Sequence, residues 1–303
     1  MNYHNIILTG VPRAGTTLSG NLLNKVANTV ALHEPIQWER LTDISDHSVV
    51  YAEINHFFQN MRYSLQETQS AISKQRNRRV PDNPMGNPPF WGRWIPNRLL
   101  AYSFFRRMAL RRSQVSRGEI TVQKPLSDNF FLCIKHTGPF TALLDTLLQN
   151  HRCYAVIRNP LAVLLSWNSI NFVLREGHHR QAERFDPQLS HQLAQIPDRF
   201  ERQISLLSWF FAKYSTTLPS NHIIRYEDIV TTGGSALKII IPEASELDEP
   251  LENKNQNPLY DVRLLHSLGK VLLHTDGAFW KFYTRESVRV LCEKISSARS
   301  ALV

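Results

Sequence analysis

The sequence predicts an α/β fold: a three-layer sandwich with a central, mostly parallel sheet and helical cap insertions. Two observations lead to this prediction. Short apolar runs recur along the 303 residues, and each is followed by a stretch in which apolar residues have helical spacing. A glycine-bearing turn follows the first run and is typical of a phosphate-binding loop. The runs cover residues 5–9, 29–33, 119–124, 153–158 and 222–226.

Helices are expected after the first and the fourth run, and again over about 197–214. Leu18, Leu22 and Leu23 fall on one helical face after the first run. Pro160 stands where the helix after the fourth run begins, a position that suits proline because the first helical N–H has no partner within the helix. This alternation of strands and helices favours crossover connections between parallel strands.

One domain is expected over residues 1–303, with a basic and aromatic cap insertion over 74–117. The insertion has eleven Lys and Arg residues against one acid, so it carries +10 while the whole chain carries +9. Within it, residues 81–96 combine prolines with tryptophans and predict either a lid over a pocket or an irregular surface loop. The charge has three interpretations: a solvated helix face, a funnel for an anionic nucleotide or acceptor, or a membrane-surface contact.

Composition also excludes some classes of protein. No apolar run approaches the ~18–20 residues that cross a bilayer. The first strand begins too early to leave room for a signal peptide, so a cytoplasmic location is expected. Cys133, Cys153 and Cys292 are far apart, and the histidines form no zinc pattern. We therefore expect reduced thiols and no metal.

The turn after the first run is the most informative segment of the chain. Gly10 and Gly15 have the spacing of a phosphate-binding loop, but Thr16 stands where a nucleotide-hydrolysing loop has its lysine, and the cation is Arg13 instead. Strand, loop and helix start direct backbone N–H groups at one point. They predict a P-loop nucleoside triphosphate hydrolase-like fold and an anion site. The loop residues are Pro12, Arg13, Ala14, Gly15, Thr16, Thr17 and Leu18.

A second anion site is predicted after the fourth run. Arg158 ends that run, and Ser166 follows eight residues later on the next helix. Open α/β sheets bind ligands at the carboxyl ends of their strands, and an arginine with a hydroxyl suits a terminal phosphate. Two such sites match a sulfonate donor that carries phosphate groups at both ends of one ribose.

These motifs resemble those of sulfotransferases that use 3′-phosphoadenosine 5′-phosphosulfate (PAPS). Residues 12–18 resemble the 5′-phosphosulfate loop of that family, with Ala14 in place of its usual serine. Arg158 and Ser166 resemble its 3′-phosphate site, and 225–229 resembles a late core-strand segment. The resemblance extends from about residue 5 to residue 228. It implies a PAPS-dependent enzyme of the branch with a glutamate base, with PAPS as co-substrate and no metal.

Two further residues take their expected roles from this resemblance. Glu34 follows the second run and lies 21 residues beyond Arg13, a position similar to that of the catalytic glutamate in carbohydrate and tyrosyl-protein sulfotransferases. Burial beside the donor is expected to raise its pKa towards neutrality. His33 is the alternative base, but neighbours on a strand face opposite ways, and Glu34 is preferred. Lys124 resembles the central lysine that contacts the sulfuryl group.

The predicted function is sulfuryl transfer by in-line displacement to a hydroxyl or amine of a small-molecule, natural-product or carbohydrate acceptor. Arg13 is expected to stabilise the leaving oxygen. One alternative is a P-loop kinase or nucleotide hydrolase with a degenerate loop. The other is a membrane-surface or nucleic-acid binder built on the basic insertion. The apolar residues of 98–112 cover too much of a helix for a surface stripe, so membrane contact is not favoured and no nucleic-acid partner is expected.

Overall fold

A five-stranded parallel sheet forms the centre of the molecule. A computed structural model describes residues 4–41, 46–76, 115–169, 173–257 and 260–300. The central strands lie in the order β2-β5-β1-β6-β7, and each neighbouring pair is parallel. Two other strands, β3 and β4, form an antiparallel hairpin. In the described chain the strands are β1 (Asn5–Gly10), β2 (Thr29–His33), β3 (Ser70–Arg76), β4 (Val115–Thr121), β5 (Phe131–Lys135), β6 (Arg152–Ile157) and β7 (Ile223–Arg225).

Helices flank this sheet and connect its strands. The described helices are α1 (Thr16–Leu23), α2 (His47–Thr68), α3 (Gly138–Ala142), α4 (Leu144–Leu147), α5 (Pro160–Asn168), α6 (Arg180–Phe185), α7 (Pro187–Ala194), α8 (Arg199–Thr217), α9 (Tyr226–Thr231), α10 (Val262–His274) and α11 (Arg285–Ser300). Short 3-10 turns lie at Trp38–Arg40, Val173–Glu176, Ser220–His222, Ser235–Ile239, Pro242–Glu246, Lys254–Gln256 and Ala278–Lys281. Every one of the described helices is too short or too polar to cross a bilayer.

Both faces of the central sheet are covered. Ile6, Ile7 and Leu8 are consecutive on β1, and none of the three is exposed to solvent. Because successive side chains on a strand face opposite sides, a run of this kind requires packing on both faces. The α/β class and the parallel central sheet are therefore confirmed, and the burial fits a three-layer arrangement.

The predicted strand over 119–124 is wrong as a member of the central sheet. Its first residues belong to β4, which ends at Thr121 and pairs with β3. Glu119 is exposed while Ile120 is buried, the alternation of a strand with one covered face. The strand between β2 and β1 is instead β5, an apolar run that ends in Lys135.

The basic insertion begins and ends on that hairpin. Lys74 lies on β3 and Arg117 on β4, directly opposite each other. Residues 77–114, which include the proline and tryptophan segment 81–96 and the stretch 98–112, lie outside the described residues. The predictions of a lid or cap and of its role concern those residues and stay predictions.

Candidate functional site

The carboxyl ends of β1 and β6 lie where the connections of the sheet diverge, and we call the space beyond these two strand ends the crevice. After β1 the chain passes beyond β5 to β2, whereas after β6 it passes the opposite way to β7. Open α/β sheets bind ligands where the connections diverge in this manner. The two predicted anion-binding segments follow β1 and β6, so both meet at this crevice.

The loop after β1 needs glycine at two positions. Gly10 has φ of 154°, and a Cβ added to it would lie 2.4 Å from the carbonyl oxygen of Val156 on the neighbouring strand. Gly15 has φ of 97°, and its added Cβ would lie 2.6 Å from the Tyr226 ring. The Gly10 and Gly15 spacing recognised in the sequence thus reflects close packing against β6 and against the residue that follows β7.

The predicted loop residues, 12–18, differ in their exposure to solvent. Pro12, Ala14 and Thr16 are buried, Gly15 and Leu18 are half-buried, and Arg13 and Thr17 are exposed. Helix α1 begins at Thr16 with Gly15 as its cap residue and no capping side chain. The first-turn N–H groups of a helix have no partners within it, so the start of α1 is suited to an anion.

Side chains from α5 and the end of β6 fasten this loop across the crevice. Arg13 Nε donates to Ser166 Oγ at 3.2 Å, and the Trp167 indole N–H donates to the Pro12 carbonyl at 2.8 Å. Arg158 Nη1 donates to the carbonyl of Arg13 at 3.0 Å. The structure therefore brings the three predicted residues Arg13, Arg158 and Ser166 together.

Arg158 is buried beneath the loop, and only 5% of it is exposed. Its Nε donates to Asn255 Oδ1 at 2.6 Å and its Nη2 to the Tyr260 hydroxyl at 3.3 Å, while the guanidinium stacks 4.3 Å from the centre of the Tyr226 ring. Among the described residues, three of its five N–H groups thus have protein acceptors. Arg158 holds the loop in shape as well as placing positive charge behind it.

The predicted segment 225–229 supports the same crevice from the side of β7. Glu227 accepts hydrogen bonds from the backbone N–H of Asn159 at 3.0 Å, the Asn255 amide at 2.8 Å and the Tyr283 hydroxyl at 2.7 Å. One carboxylate thereby joins the end of β6, the turn at 254–256 and the segment that precedes α11. Sequence reasoning recognised the segment but gave Tyr226 no role, and it missed Asn255, Tyr260 and Tyr283, because the contacts of these side chains with Arg158 and Glu227 depend on the fold.

Glu34 lies at the same edge of the sheet, directly after β2 and two strands from β1. Neighbouring strands are about 4.8 Å apart, so Glu34 is roughly 10 Å across the sheet from the loop. Its backbone has φ of 42° and is fixed on both sides. Its N–H donates to the backbone carbonyl of Lys135 at 2.8 Å, and its own carbonyl accepts from Arg117 Nε at 3.0 Å. Its carboxylate pairs with Lys135 at 2.8 Å and with Lys74.

The expected rise in the Glu34 pKa does not occur. Burial alone would raise the pKa of this carboxyl group, but the charges of Lys135 and Lys74 outweigh burial and hold the pKa well below its ordinary value. Glu34 is therefore ionised at neutral pH. The sequence could not predict this, because Lys135 and Lys74 are separated from Glu34 by 101 and 40 residues.

His33 is directed away from this carboxylate, against α1. A Cβ added to Gly20 of α1 would lie 2.6 Å from His33 Cε1, so the ring packs on the helix backbone. Burial, reinforced by Lys135, lowers the pKa of His33 to about 3. His33 is buried whereas a quarter of the Glu34 side chain is exposed, which favours Glu34 as the group that reaches a ligand.

Lys124 does not lie at the crevice, and its predicted contact with a transferred group is wrong. Its Nζ donates to the carbonyl oxygens of Asn24, Val26 and Thr29, at 2.7, 2.9 and 2.8 Å. These carbonyls mark the end of α1 and the start of β2, at the amino edge of the sheet, roughly 15 Å along β2 from the crevice. The lysine that lies at the carboxyl edge, between the ends of β2 and β1, is Lys135 on β5. Its signal in the sequence was a lysine that ends a short apolar run.

No family model matches the chain, and no curated protein is found to match it. Across the residues that the structure describes, no group of three or more His, Cys, Asp or Glu side chains is placed to hold a metal ion. Cys133, Cys153 and Cys292 are thiols, as predicted.

Proposed function

We propose that the protein is a PAPS-dependent sulfotransferase with a P-loop-like donor site. The observation that carries the proposal is the contact at the crevice between β1 and β6, where Arg13, three residues before the start of α1, donates to Ser166 of α5. An anion site with a loop arginine in place of the phosphate-loop lysine suits a sulfonate group. The resemblance of residues 12–18 and of 158–166 to the two PAPS-binding segments supports the same assignment.

Donor binding is divided between the loop after β1 and the segment from Arg158 to Ser166. The 5′-phosphosulfate is held by backbone N–H groups of Gly15, Thr16 and Thr17 and by the Arg13 side chain. The 3′-phosphate lies towards Ser166, with the charge of Arg158 behind it. Arg158 also keeps the loop in its bound shape through the Arg13 carbonyl, so the donor meets a preorganised site.

Transfer occurs by in-line displacement at sulfur. The acceptor oxygen or nitrogen forms a bond to sulfur while the bond from sulfur to the bridging phosphate oxygen breaks, and adenosine 3′,5′-bisphosphate leaves. Arg13 and the loop N–H groups stabilise the charge that develops on the leaving oxygen. Glu34, ionised and partly exposed at the same edge, takes the acceptor proton.

The acceptor is a small molecule, natural product or carbohydrate with a hydroxyl or amine group, met in the cytoplasm. No metal, nucleic-acid partner or membrane contact forms part of the proposal. The sulfuryl group carries less charge in transfer than a phosphoryl group, and the loop lacks the lysine through which kinases neutralise phosphate.

Donor binding is tested by calorimetric titration with adenosine 3′,5′-bisphosphate in a metal-free buffer. We expect saturable binding that weakens at least tenfold in Arg13→Ala, while Arg263→Ala, which removes an exposed arginine on α10, has no effect. Labelled PAPS with a panel of hydroxyl and amine acceptors then tests transfer, and Glu34→Gln is expected to abolish it with bisphosphate affinity kept.

Other outcomes would overturn the proposal. Binding of ATP that requires Mg²⁺, with no binding of the bisphosphate, would indicate a kinase or nucleotide hydrolase. Binding of anionic vesicles or DNA that disappears in modest salt, without any affinity for the bisphosphate, would indicate a surface built on the basic insertion.

A further inference from the structure

Among the residues that the structure describes, Glu34 contacts more positive groups than its one carboxylate neutralises. Lys74 from β3, Arg117 from β4 and Lys135 from β5 all contact Glu34. The histidines near it add no charge at neutral pH, because burial lowers the pKa of His33, His136 and His179. Glu119 is two residues beyond Arg117 on β4 and is exposed. The cluster of Glu34, Lys74, Lys135 and Arg117 thus has two positive charges in excess.

Lys74 and Arg117 are also directly opposite each other in the hairpin. Like charges at opposite positions of two antiparallel strands are destabilising unless an anion lies between them. Glu34 meets part of this need, with its carboxylate on Lys74 and its backbone carbonyl on Arg117. A second anion at the same place would relieve the remaining repulsion.

The two lysines that hold the Glu34 carboxylate differ in exposure. The Lys135 side chain is 6% exposed and is fixed at the end of a central strand, whereas the Lys74 side chain is 35% exposed on the hairpin. Ion pairs with this exposure contribute little, so an incoming anion can replace Glu34 as the partner of Lys74. Lys135 would remain and would keep the carboxylate oriented.

We propose that this site takes an acceptor that carries a carboxylate, sulfate or phosphate group, and that this group pairs with Lys74 and releases Glu34 to accept the proton of the acceptor's nucleophile. This inference rests on the function proposed above. Loss of Lys74 from Glu34 removes one of the two charges that depress the pKa of the carboxyl group, so the group becomes a stronger base. The base is then strengthened only when a charged acceptor is in place.

Acceptors matched in their nucleophile and differing in charge test the proposal. The probes are 4-hydroxyphenylacetate against 4-hydroxyphenylacetamide, and glucuronic acid against glucose, each with labelled PAPS. We expect the wild-type kcat/KM to favour the anionic member of a pair at least tenfold. In Lys74→Met, kcat/KM for the anionic member falls by a similar factor, while kcat for the neutral member rises because Glu34 has been released.

Two control variants separate this role from a structural one. Lys25→Met removes a lysine of similar exposure that pairs with Glu249 away from the crevice, and it should leave both members of each pair unchanged. Lys74→Arg keeps the charge and should keep the preference for the anion. In Lys74→Met the acid limb of the pH–rate profile with neutral acceptors should move to higher pH, because activity requires ionised Glu34 and its pKa is higher without Lys74.

The proposal is overturned if wild type uses neutral and anionic acceptors equally, or if Lys74→Met slows both members of a pair by the same factor. Binding provides a readout that does not require turnover. The protein saturated with adenosine 3′,5′-bisphosphate should bind 4-hydroxyphenylacetate or glucuronate by calorimetry, and Lys74→Met should not. Failure of both anions to bind, with bisphosphate binding intact, overturns this inference alone, whereas failure of bisphosphate binding overturns the proposed function.

Discussion

Replacement of Gly15 by alanine probes the loop after β1 at its most constrained residue. Gly15 has φ of 97°, outside the range that L-residues adopt without strain. The added methyl group would lie 2.6 Å from Cδ2 of Tyr226. That ring cannot move easily, since its hydroxyl accepts from the Lys254 N–H at 2.9 Å and its face stacks on Arg158.

Two contributions determine the magnitude of the effect. A non-glycine residue held in a sparsely populated backbone region costs about 1–3 kcal/mol. Inserting a methyl group into a packed contact costs about 1–3 kcal/mol more, because the ring or the loop must shift. We therefore expect Gly15→Ala to lower the free energy of unfolding by about 2–6 kcal/mol.

Urea unfolding measures this loss, and calorimetric titration with adenosine 3′,5′-bisphosphate measures its effect on the proposed donor site. Gly118→Ala is the matched control, because a Cβ added there meets no atom of the described residues within 4 Å. The double variant Gly15→Ala/Tyr226→Leu separates the two contributions, since it removes the ring contact and leaves the backbone strain. Bisphosphate affinity should fall in Gly15→Ala and stay unchanged in Gly118→Ala.

If Gly15→Ala unfolds at the same urea concentration as Gly118→Ala, neither backbone strain nor a close contact constrains Gly15. If the double variant shows no coupling between the two sites, the contact with Tyr226 makes no contribution. In that case Tyr226 would not support the loop.

Two other predictions concern Lys124, which lies at the amino edge of the sheet, and Glu34, which forms ion pairs with two lysines. Lys124→Met should lower the free energy of unfolding by about 2–4 kcal/mol, because three carbonyls at the amino edge of the sheet lose a charged donor. Bisphosphate affinity should not change. A weakened affinity at unchanged stability would indicate that Lys124 contacts the proposed donor after all. The pKa of Glu34 in the folded protein lies below its ordinary value of 4.5, so ionised Glu34 should stabilise the protein above pH 4.5. This stabilisation should be lost as the pH falls, because the unfolded chain then binds the proton more readily. The gap in unfolding free energy between wild type and Glu34→Gln should narrow from pH 7 to pH 4, and a gap independent of pH would contradict the ion pairs.

The local patterns predicted much of the central sheet. The runs at 5–9, 29–33, 153–158 and 222–226 correspond to β1, β2, β6 and β7, with small differences at their ends. Runs buried on both faces are continuous and apolar, so they are recognisable without knowledge of their neighbours. β5 was missed and 119–124 was misassigned, because a half-covered hairpin strand and a buried strand can have similar composition over five residues.

The site was predicted in part for the same reason. Arg13, Arg158 and Ser166 follow strands that end at one edge of the sheet, and the common direction of parallel strands was enough to expect them there together. Lys124 was placed at that edge because its strand was misassigned. The charge state of Glu34 depends on Lys74 and Lys135, which no local pattern connects with it.

The amino-acid sequence was sufficient to predict the α/β class, the glycine-bearing loop with Arg13 in place of a lysine, and a common edge for the ends of β1 and β6. The class and the loop are encoded within short segments, through backbone sterics and side-chain periodicity, and the common edge follows from the direction of parallel strands. Three properties could be read only from the folded chain: which lysine lies at that edge between β2 and β1, how Arg158 supports the loop, and why Glu34 is held ionised. Those properties arise from burial and from charges tens of residues apart, and electrostatic interaction follows distance in space and not along the chain.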